Sequence, residues 1–259
     1  MTERVRRKAA WVAIAGFVVL SFSTIAGAAQ SIRIGTEGAY FPFNYLDDKG
    51  RLQGFDIDIA NALCSAMRVE CEFLISSWQA LIPGLRRNKF DAIIASMSIT
   101  DQRKQLVDFT DKYYQTAAQF VAPEARDLEI SKEGLTGKML GAQRDTTHSA
   151  YLLDNFSDVA DVKIYDTQEH LYIDLFSGRL DAALADRLVW LEWLKQSGTE
   201  FRLVGEPFSD REWYGEGVGI AVRKEDPELR DRFNEALAGI LANGTYEQIN
   251  KKYFPFSIY

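Results

Sequence analysis

From residue 31 to the C-terminus, strand-like and helix-like segments alternate, and this alternation limits the chain to an α/β fold with mainly parallel strands. Ser31–Gly35 reads as a strand, Gly54–Met67 as an amphipathic helix with Phe55, Ile59, Leu63 and Met67 on one face, and Val69–Ile75 as a strand. Trp78–Arg87 reads as a short helix containing Pro83, Asp91–Ala95 as a strand, and Asp101–Leu106 as a short helix capped by Thr100. Lys138–Ala142, Val162–Tyr165 and Asp181–Ala185 read as strands with helices between them, and Gly217–Arg223 as one more. Two helices close the chain, Pro227–Ala242 and Thr245–Tyr253, with Gly244 as the stop between them.

Within this pattern lies a faint repeat. Arg87–Ala95 (Arg-Asn-Lys-Phe-Asp-Ala-Ile-Ile-Ala) resembles Ser177–Ala185 (Ser-Gly-Arg-Leu-Asp-Ala-Ala-Leu-Ala). Each reads as a helix end, a tight turn and a strand that begins Asp-Ala. Ser96 follows the first unit and Asp186 the second. Ligands of open α/β sheets sit beyond the carboxyl ends of the strands. Two such units with polar residues at those ends therefore suggest two lobes facing one cleft.

The first 30 residues stand outside the alternation. Arg4, Arg6, Arg7 and Lys8 precede an apolar run from Ala9 to Leu20, and Ala26-Gly27-Ala28-Ala29 follows. A basic head, a short apolar middle and a small-residue end are the parts of a secretory signal peptide, with cleavage expected after Ala28 or Ala29. The competing reading, a membrane anchor, needs about 20 apolar residues, more than this run supplies. Removing residues 1–28 takes away those four basic residues and Glu3, leaving 26 basic and 36 acidic residues, net −10 against −7 for the whole chain. An acidic mature protein argues against nucleic acid and anionic membrane as partners. The only two cysteines, Cys64 and Cys71, lie seven residues apart. Outside the cytoplasm that spacing suggests a disulfide joining a helix end to a strand start, the competing reading being two free buried thiols.

Signatures of catalysis are few. There are two histidines, His148 and His170, no G-x-S-x-G elbow, no H-E-x-x-H and no phosphate-binding glycine loop. Asp56 and Asp58 read as surface acids at a helix start, and His148, at a helix start after Thr147, as an exposed first-turn residue in preference to one near the cleft. No metal and no cofactor are expected.

Several segments taken together carry a resemblance. They are Gly35-Thr36-Glu37-Gly38-Ala39-Tyr40-Phe41-Pro42-Phe43, Gly54-Phe55-Asp56-Ile57-Asp58 and Leu81-Ile82-Pro83-Gly84-Leu85. Asp91 to Thr100 with Arg103, Val107-Asp108-Phe109-Thr110 and Asp181 to Asp186 continue the series. Gly215 to Gly219, Asn243-Gly244-Thr245-Tyr246 and Lys252-Tyr253-Phe254 complete it. In this order they resemble the periplasmic polar amino-acid-binding proteins of ABC importers. The similarity is greatest to the branch for lysine, arginine, ornithine and histidine, with octopine- and nopaline-binding proteins as relatives. The Cys64/Cys71 pair matches a disulfide common in that branch.

The resemblance implies a two-lobed periplasmic binding protein fold of type II, with a central mixed sheet flanked by helices in each lobe and two hinge strands between them. Residues 30–117 plus 216–259 would form lobe 1 and residues 118–215 lobe 2. It implies a monomeric, non-enzymatic receptor in the periplasm, an amino-acid ligand and an ABC transporter permease as partner. Arg103 would grip the ligand carboxylate as a fork, helped by Ser98, Thr146 and Thr147. Asp186, with Ser96 and Ser98, would take the α-ammonium. Tyr40 and Trp78 would flank the side chain, and Glu37 would pair its distal cation. Ala95 stands where this branch often has a serine. Arg144, beside the carboxylate subsite, would admit the extra carboxylate of an opine, which keeps an opine ligand as an alternative. Further alternatives are an enzyme on the same fold, similar to cyclohexadienyl dehydratase, and a sensor subunit.

Overall fold

A computed structural model describes residues 31–197 and 200–259. The signal-peptide reading of residues 1–28 lies outside the described residues. The chain starts with β1 (Ser31–Thr36), a small meander of β2 (Ala39–Tyr40), β3 (Asn44–Leu46) and β4 (Leu52–Gln53), then α1 (Phe55–Ala66) and β5 (Glu70–Ile75). It continues through α2 (Trp78–Arg86), β6 (Ala92–Ile93), α3 (Asp101–Lys104) and β7 (Asp108–Tyr114). The second sheet is built from β8 (Ala118–Pro123), β9 (Met139–Gln143), α4 (Thr147–Phe156), β10 (Asp161–Tyr165), α5 (Gln168–Phe176), β11 (Ala182–Asp186), α6 (Arg187–Ser197) and β12 (Phe201–Phe208). After α7 (Arg211–Tyr214) the chain returns to the first sheet with β13 (Val218–Val222) and ends in α8 (Pro227–Ala242) and α9 (Thr245–Tyr253).

The two five-stranded sheets follow one plan. Their orders are β5-β1-β6-β13-β7 and β10-β9-β11-β8-β12. In each, three parallel strands meet an antiparallel strand that has come from, or is bound for, the other sheet. Residues 115–117 carry the chain from β7 into β8, and the stretch after β12 brings it back. The sheets are thus mixed, as the resemblance implied, rather than mainly parallel.

The repeat read in the sequence is structural. α2–β6 and α5–β11 occupy equivalent places, and the turns between them hold Asn88 and Gly178 at φ of 58° and 72°. The aspartate that opens each strand has the same task. Asp91 accepts the backbone N–H of Arg33 at 3.0 Å, and Asp181 accepts that of Met139 at 2.8 Å. Phe90 and Leu180, just before those aspartates, press on bare glycines of the neighbouring strands. A Cβ at Gly35 would lie 2.7 Å from the Phe90 ring, and one at Gly141 would lie 2.6 Å from Leu180. The packing of helix on sheet at both places depends on those two glycines.

Each sheet has its own core. Ile34, Phe43, Phe55, Leu63, Tyr113 and Phe233 are among the buried residues on one face of the first sheet, with Leu81, Leu85 and Phe90 in the cluster on the other. Phe120, Leu140, Leu152 and Leu184 fill one side of the second sheet, and Leu171, Leu175, Leu180 and Trp190 the other. Leu188 and Val189, at the start of α6, pack into the first core and join the two halves. Cys64 and Cys71 form a disulfide between α1 and the start of β5. A bridge over so short a loop contributes roughly 2–3 kcal/mol by restricting the unfolded chain. No helix among the described residues is long and apolar enough to cross a membrane.

Two sequence expectations are corrected. Asp56 is not a surface acid but 0 % exposed, accepting hydrogen bonds from Tyr113, Asn44 and Ser96. Asp58, one turn-position on, does sit toward solvent, held by Lys252 and Tyr253. His148 is not an exposed first-turn residue but 7 % exposed, packed beside Tyr214.

Candidate functional site

The carboxyl ends of β1, β6, β9 and β11 converge on a cavity between the two sheets, lined by polar and aromatic side chains from both. All ten candidate site residues line it. Glu37 and Tyr40 follow β1, Trp78 opens α2, and Ala95, Ser96 and Ser98 follow β6, with Arg103 on α3. From the opposite sheet come Thr146 and Thr147 at the start of α4 and Asp186 at the end of β11. Gln143, His148 and Gln168 also line the wall; of the three the sequence reading weighed only His148, and preferred an exposed position to one near the cleft. Gln143 ends β9, and the other two lie in the first turns of α4 and α5. Their shared signal, a polar residue at a strand end or helix start facing the cleft, was available at Gln143 but not acted on.

At one end stands a guanidinium. Thr100 caps α3 by accepting the Arg103 N–H at 3.3 Å, which fixes the helix turn that aims Arg103 into the cavity. Arg103 donates to the Ser98 carbonyl at 3.0 Å and, across the cleft, to the Asp145 carbonyl at 3.2 Å. Its guanidinium lies 5.2 Å from the centroid of the Trp78 ring. Trp78 donates its own N–H to the same Asp145 carbonyl at 3.1 Å. Burial pulls the Arg103 pKa down to about 10, with the Asp145 charge partly restoring it, so the group stays cationic near neutrality. Opposite it, Thr146 caps α4 in a reciprocal box with Ser149, leaving the helix start facing the cavity.

The other groups are acidic. Tyr40 donates to Asp186 at 2.5 Å across the cleft, and Gln143 donates to Glu37 at 2.7 Å, also across it. These are the side-chain donors to the two carboxylates among the described residues. Burial raises the Glu37 pKa to about 7, opposed by the Gln143 hydrogen bond. Burial raises Asp186 to about 7 as well, opposed by Tyr40 and reinforced by the charge of Asp56. His148 has Nε2 at 4.0 Å from Asp186, yet burial, with the Arg103 charge beside it, drives its pKa down to about 3. The imidazole is therefore neutral and the contact is not an ion pair. His148 Nε2 and Gln168 Nε2 are buried without a hydrogen-bond partner among the described residues, so two unused polar atoms face this region.

Arg144 does not join the site. It turns outward to pair with Asp166 at 2.6 Å, with about half of its side chain exposed. No group of three or more His, Cys, Asp or Glu among the described residues is arranged to hold a metal.

Two sheets of one plan, linked by two crossings and closing on a polar cavity, define a two-lobed solute-binding protein. The chain belongs to the bacterial extracellular solute-binding proteins, family 3, whose model matches residues 32–256. It is 44% identical over 257 residues to the L-arginine-binding protein of Pseudomonas aeruginosa, covering 98% of each chain. It is 40% identical to the lysine/arginine/ornithine-binding periplasmic protein of Escherichia coli, covering 92% of each. Among solved structures it is similar, with a TM-score of 0.82 and 36% identity, to a Salmonella typhimurium periplasmic binding protein of high arginine specificity, covering 87% of this chain and 100% of that one.

Proposed function

We propose that this protein is a periplasmic receptor that captures a basic amino acid and delivers it, chemically unchanged, to the permease of an ABC importer. Arginine or ornithine ranks ahead of lysine and histidine. Relatives at 44% and 40% identity are named for arginine and for lysine, arginine and ornithine. The observation that carries the reading is the charge inventory of the cavity, one guanidinium against two carboxylates of raised pKa. A basic amino acid carries the complement, one carboxylate and two cations. Buried charges without partners are costly, so such a ligand relieves both acidic groups at once.

In this reading Arg103 receives the α-carboxylate with Ser98, Thr146 and Thr147, and the N–H groups at the start of α4 add donors. Asp186 takes the α-ammonium with Ser96, and Glu37 the distal cation. Tyr40 and Trp78 flank the stem, and Ala95 leaves room beside it. Lobe 1 spans residues 30–117 and 216–259, lobe 2 residues 118–215, and the lobes close by a hinge at the crossings. The outward turn of Arg144 removes the cation that an opine's extra carboxylate would have used.

The test is a thermal-shift screen of ligand-stripped mature protein against the common amino acids, ornithine, citrulline, octopine and nopaline. Ligand at 100 times Kd adds about 2.7 kcal/mol of stability, a shift of several degrees. Shifts confined to cationic amino acids support the proposal. Shifts only with neutral, acidic or opine ligands contradict it.

A further inference from the structure

Gly54, at φ 128°, turns the chain into α1 where a Cβ would lie 2.1 Å from the Phe43 carbonyl. That turn sends the next acid, Asp56, inward beneath the cleft floor. Its two oxygens divide their partners. One accepts Tyr113 at 2.8 Å; the other accepts Asn44 at 2.9 Å and Ser96 at 3.0 Å. Asn44 is itself oriented, because its carbonyl oxygen accepts the Gly38 N–H at 2.9 Å and so its amide must face Asp56. Asp56 does not line the cavity, whereas Ser96 does. Ser96 holds a left-handed backbone, φ 55°, a conformation that a non-glycine residue keeps only when its surroundings fix it. Among the described residues no Lys or Arg is hydrogen-bonded to Asp56; neutral donors satisfy its charge.

A serine hydroxyl has one hydrogen and two lone pairs, and a carboxylate can only accept. The Ser96 hydrogen is therefore committed to Asp56, and what the hydroxyl presents to the cavity is acceptor alone. The Ser96 wall then agrees with the nearby carboxylate of Asp186, whose pKa feels the Asp56 charge. We infer that Asp56 is a positioning residue that never touches ligand but fixes the hydrogen-bonding polarity of Ser96, and through it the preference of the cleft for an ammonium group over a neutral hydroxyl. This rests on the proposed amino-acid-receptor reading and adds to it a determinant buried behind the site.

The test exchanges the two ends of the buried network, Asn44→Asp with Asp56→Asn. The new acid at 44 still accepts the Gly38 N–H and now forces the amide at 56 to donate. Ser96 then accepts from position 56, and its hydrogen is free to face the cavity. Net charge and side-chain composition are unchanged, and melting temperature reports that the fold is kept. The readout is the ratio of calorimetric affinities for arginine and for its 2-hydroxy acid analogue. Loss of one charge-assisted acceptor lowers that ratio by about tenfold, chiefly through arginine. In a Ser96→Ala background the exchange should leave the ratio where Ser96→Ala alone puts it. An unchanged ratio, an equal weakening of both ligands, or a shift that persists without the Ser96 hydroxyl overturns the inference. If the exchanged protein does not fold, Asp56→Asn alone is read by the same ratio, with a wild-type value again overturning it. Wild-type protein that binds arginine and citrulline equally would defeat the basic side-chain reading instead. The ratio is then read with whichever amino acid binds and its hydroxy analogue.

Discussion

The cation and the acids of the cleft are held on opposite electrostatic plans. At the Arg103 end the protein supplies the cation and also most of its partners, the Ser98 and Asp145 carbonyls and the Trp78 ring. The two acids, Glu37 and Asp186, each have a single side-chain donor among the described residues, Gln143 and Tyr40. Arg103 stays charged well above neutrality, while both acids are pushed to about 7. Selectivity therefore resides with the acids. Any amino acid offers a carboxylate to Arg103, but only one with two cations settles both acids. Asp56 makes the point from within the protein. It is more deeply buried than either cleft acid, but with three side-chain donors its pKa rises less, to about 6.

The largest effect breaks the contrast outright. Arg103→Ala and Asp186→Ala each weaken arginine binding by about 3 kcal/mol, or more than 100-fold, because each leaves an opposite charge buried and unpaired. Calorimetry that found wild-type affinity in both would remove these residues from the site. Glu37→Gln sharpens the contrast, since it keeps shape and removes charge at one end only. It lowers arginine affinity by about 2 kcal/mol while citrulline, isosteric but neutral, is bound as before; equal losses would deny Glu37 its role.

A smaller effect is in pH. Glu37 and Asp186 must be ionised to receive cations, so affinity for arginine rises as pH increases through about 7 and then levels off, and binding near pH 7 releases protons. Titrations in buffers of different ionisation enthalpy measure that release directly. The same two groups act oppositely on the ligand-free fold. Their folded pKa values lie above the unfolded ones, so their contribution to stability is full at low pH and is lost as pH rises from about 4 to about 7. The smallest effect is at Arg144. Its ion pair with Asp166 is on the surface, so Arg144→Ala leaves ligand affinity unchanged, octopine included. A loss specific to octopine would restore it to the site.

The parts of this architecture that local chemistry decides were legible in the sequence. α8 and α9 run over the residues expected of them, with Gly244 left-handed between them, and Thr100 caps α3 as read. The Asp-Ala repeat marked equivalent strands because Asp91 and Asp181 each close a bond to a neighbouring strand. What escaped was decided by distant partners. Asp56 in a Phe-Asp-Ile-Asp helix start looks like an acid facing water, and only Tyr113, 57 residues away, with Ser96 and Asn44, makes it a buried one. His148 is buried by Tyr214, and Arg144 is drawn off by Asp166. The meander β2–β4 was missed because strands of two or three residues show no periodicity. The crossing strands β7 and β8 are among the elements periodicity did not mark, β8 being buried along most of its length and showing no alternation.

The most direct test is a pair of calorimetric titrations of the ligand-stripped protein at pH 8, one with arginine and one with citrulline. Affinity for arginine is expected at least about tenfold above that for citrulline, which brings a neutral ureido group, with an acceptor oxygen, where arginine brings a cation to Glu37. Equal affinities, or a preference for citrulline, would contradict it.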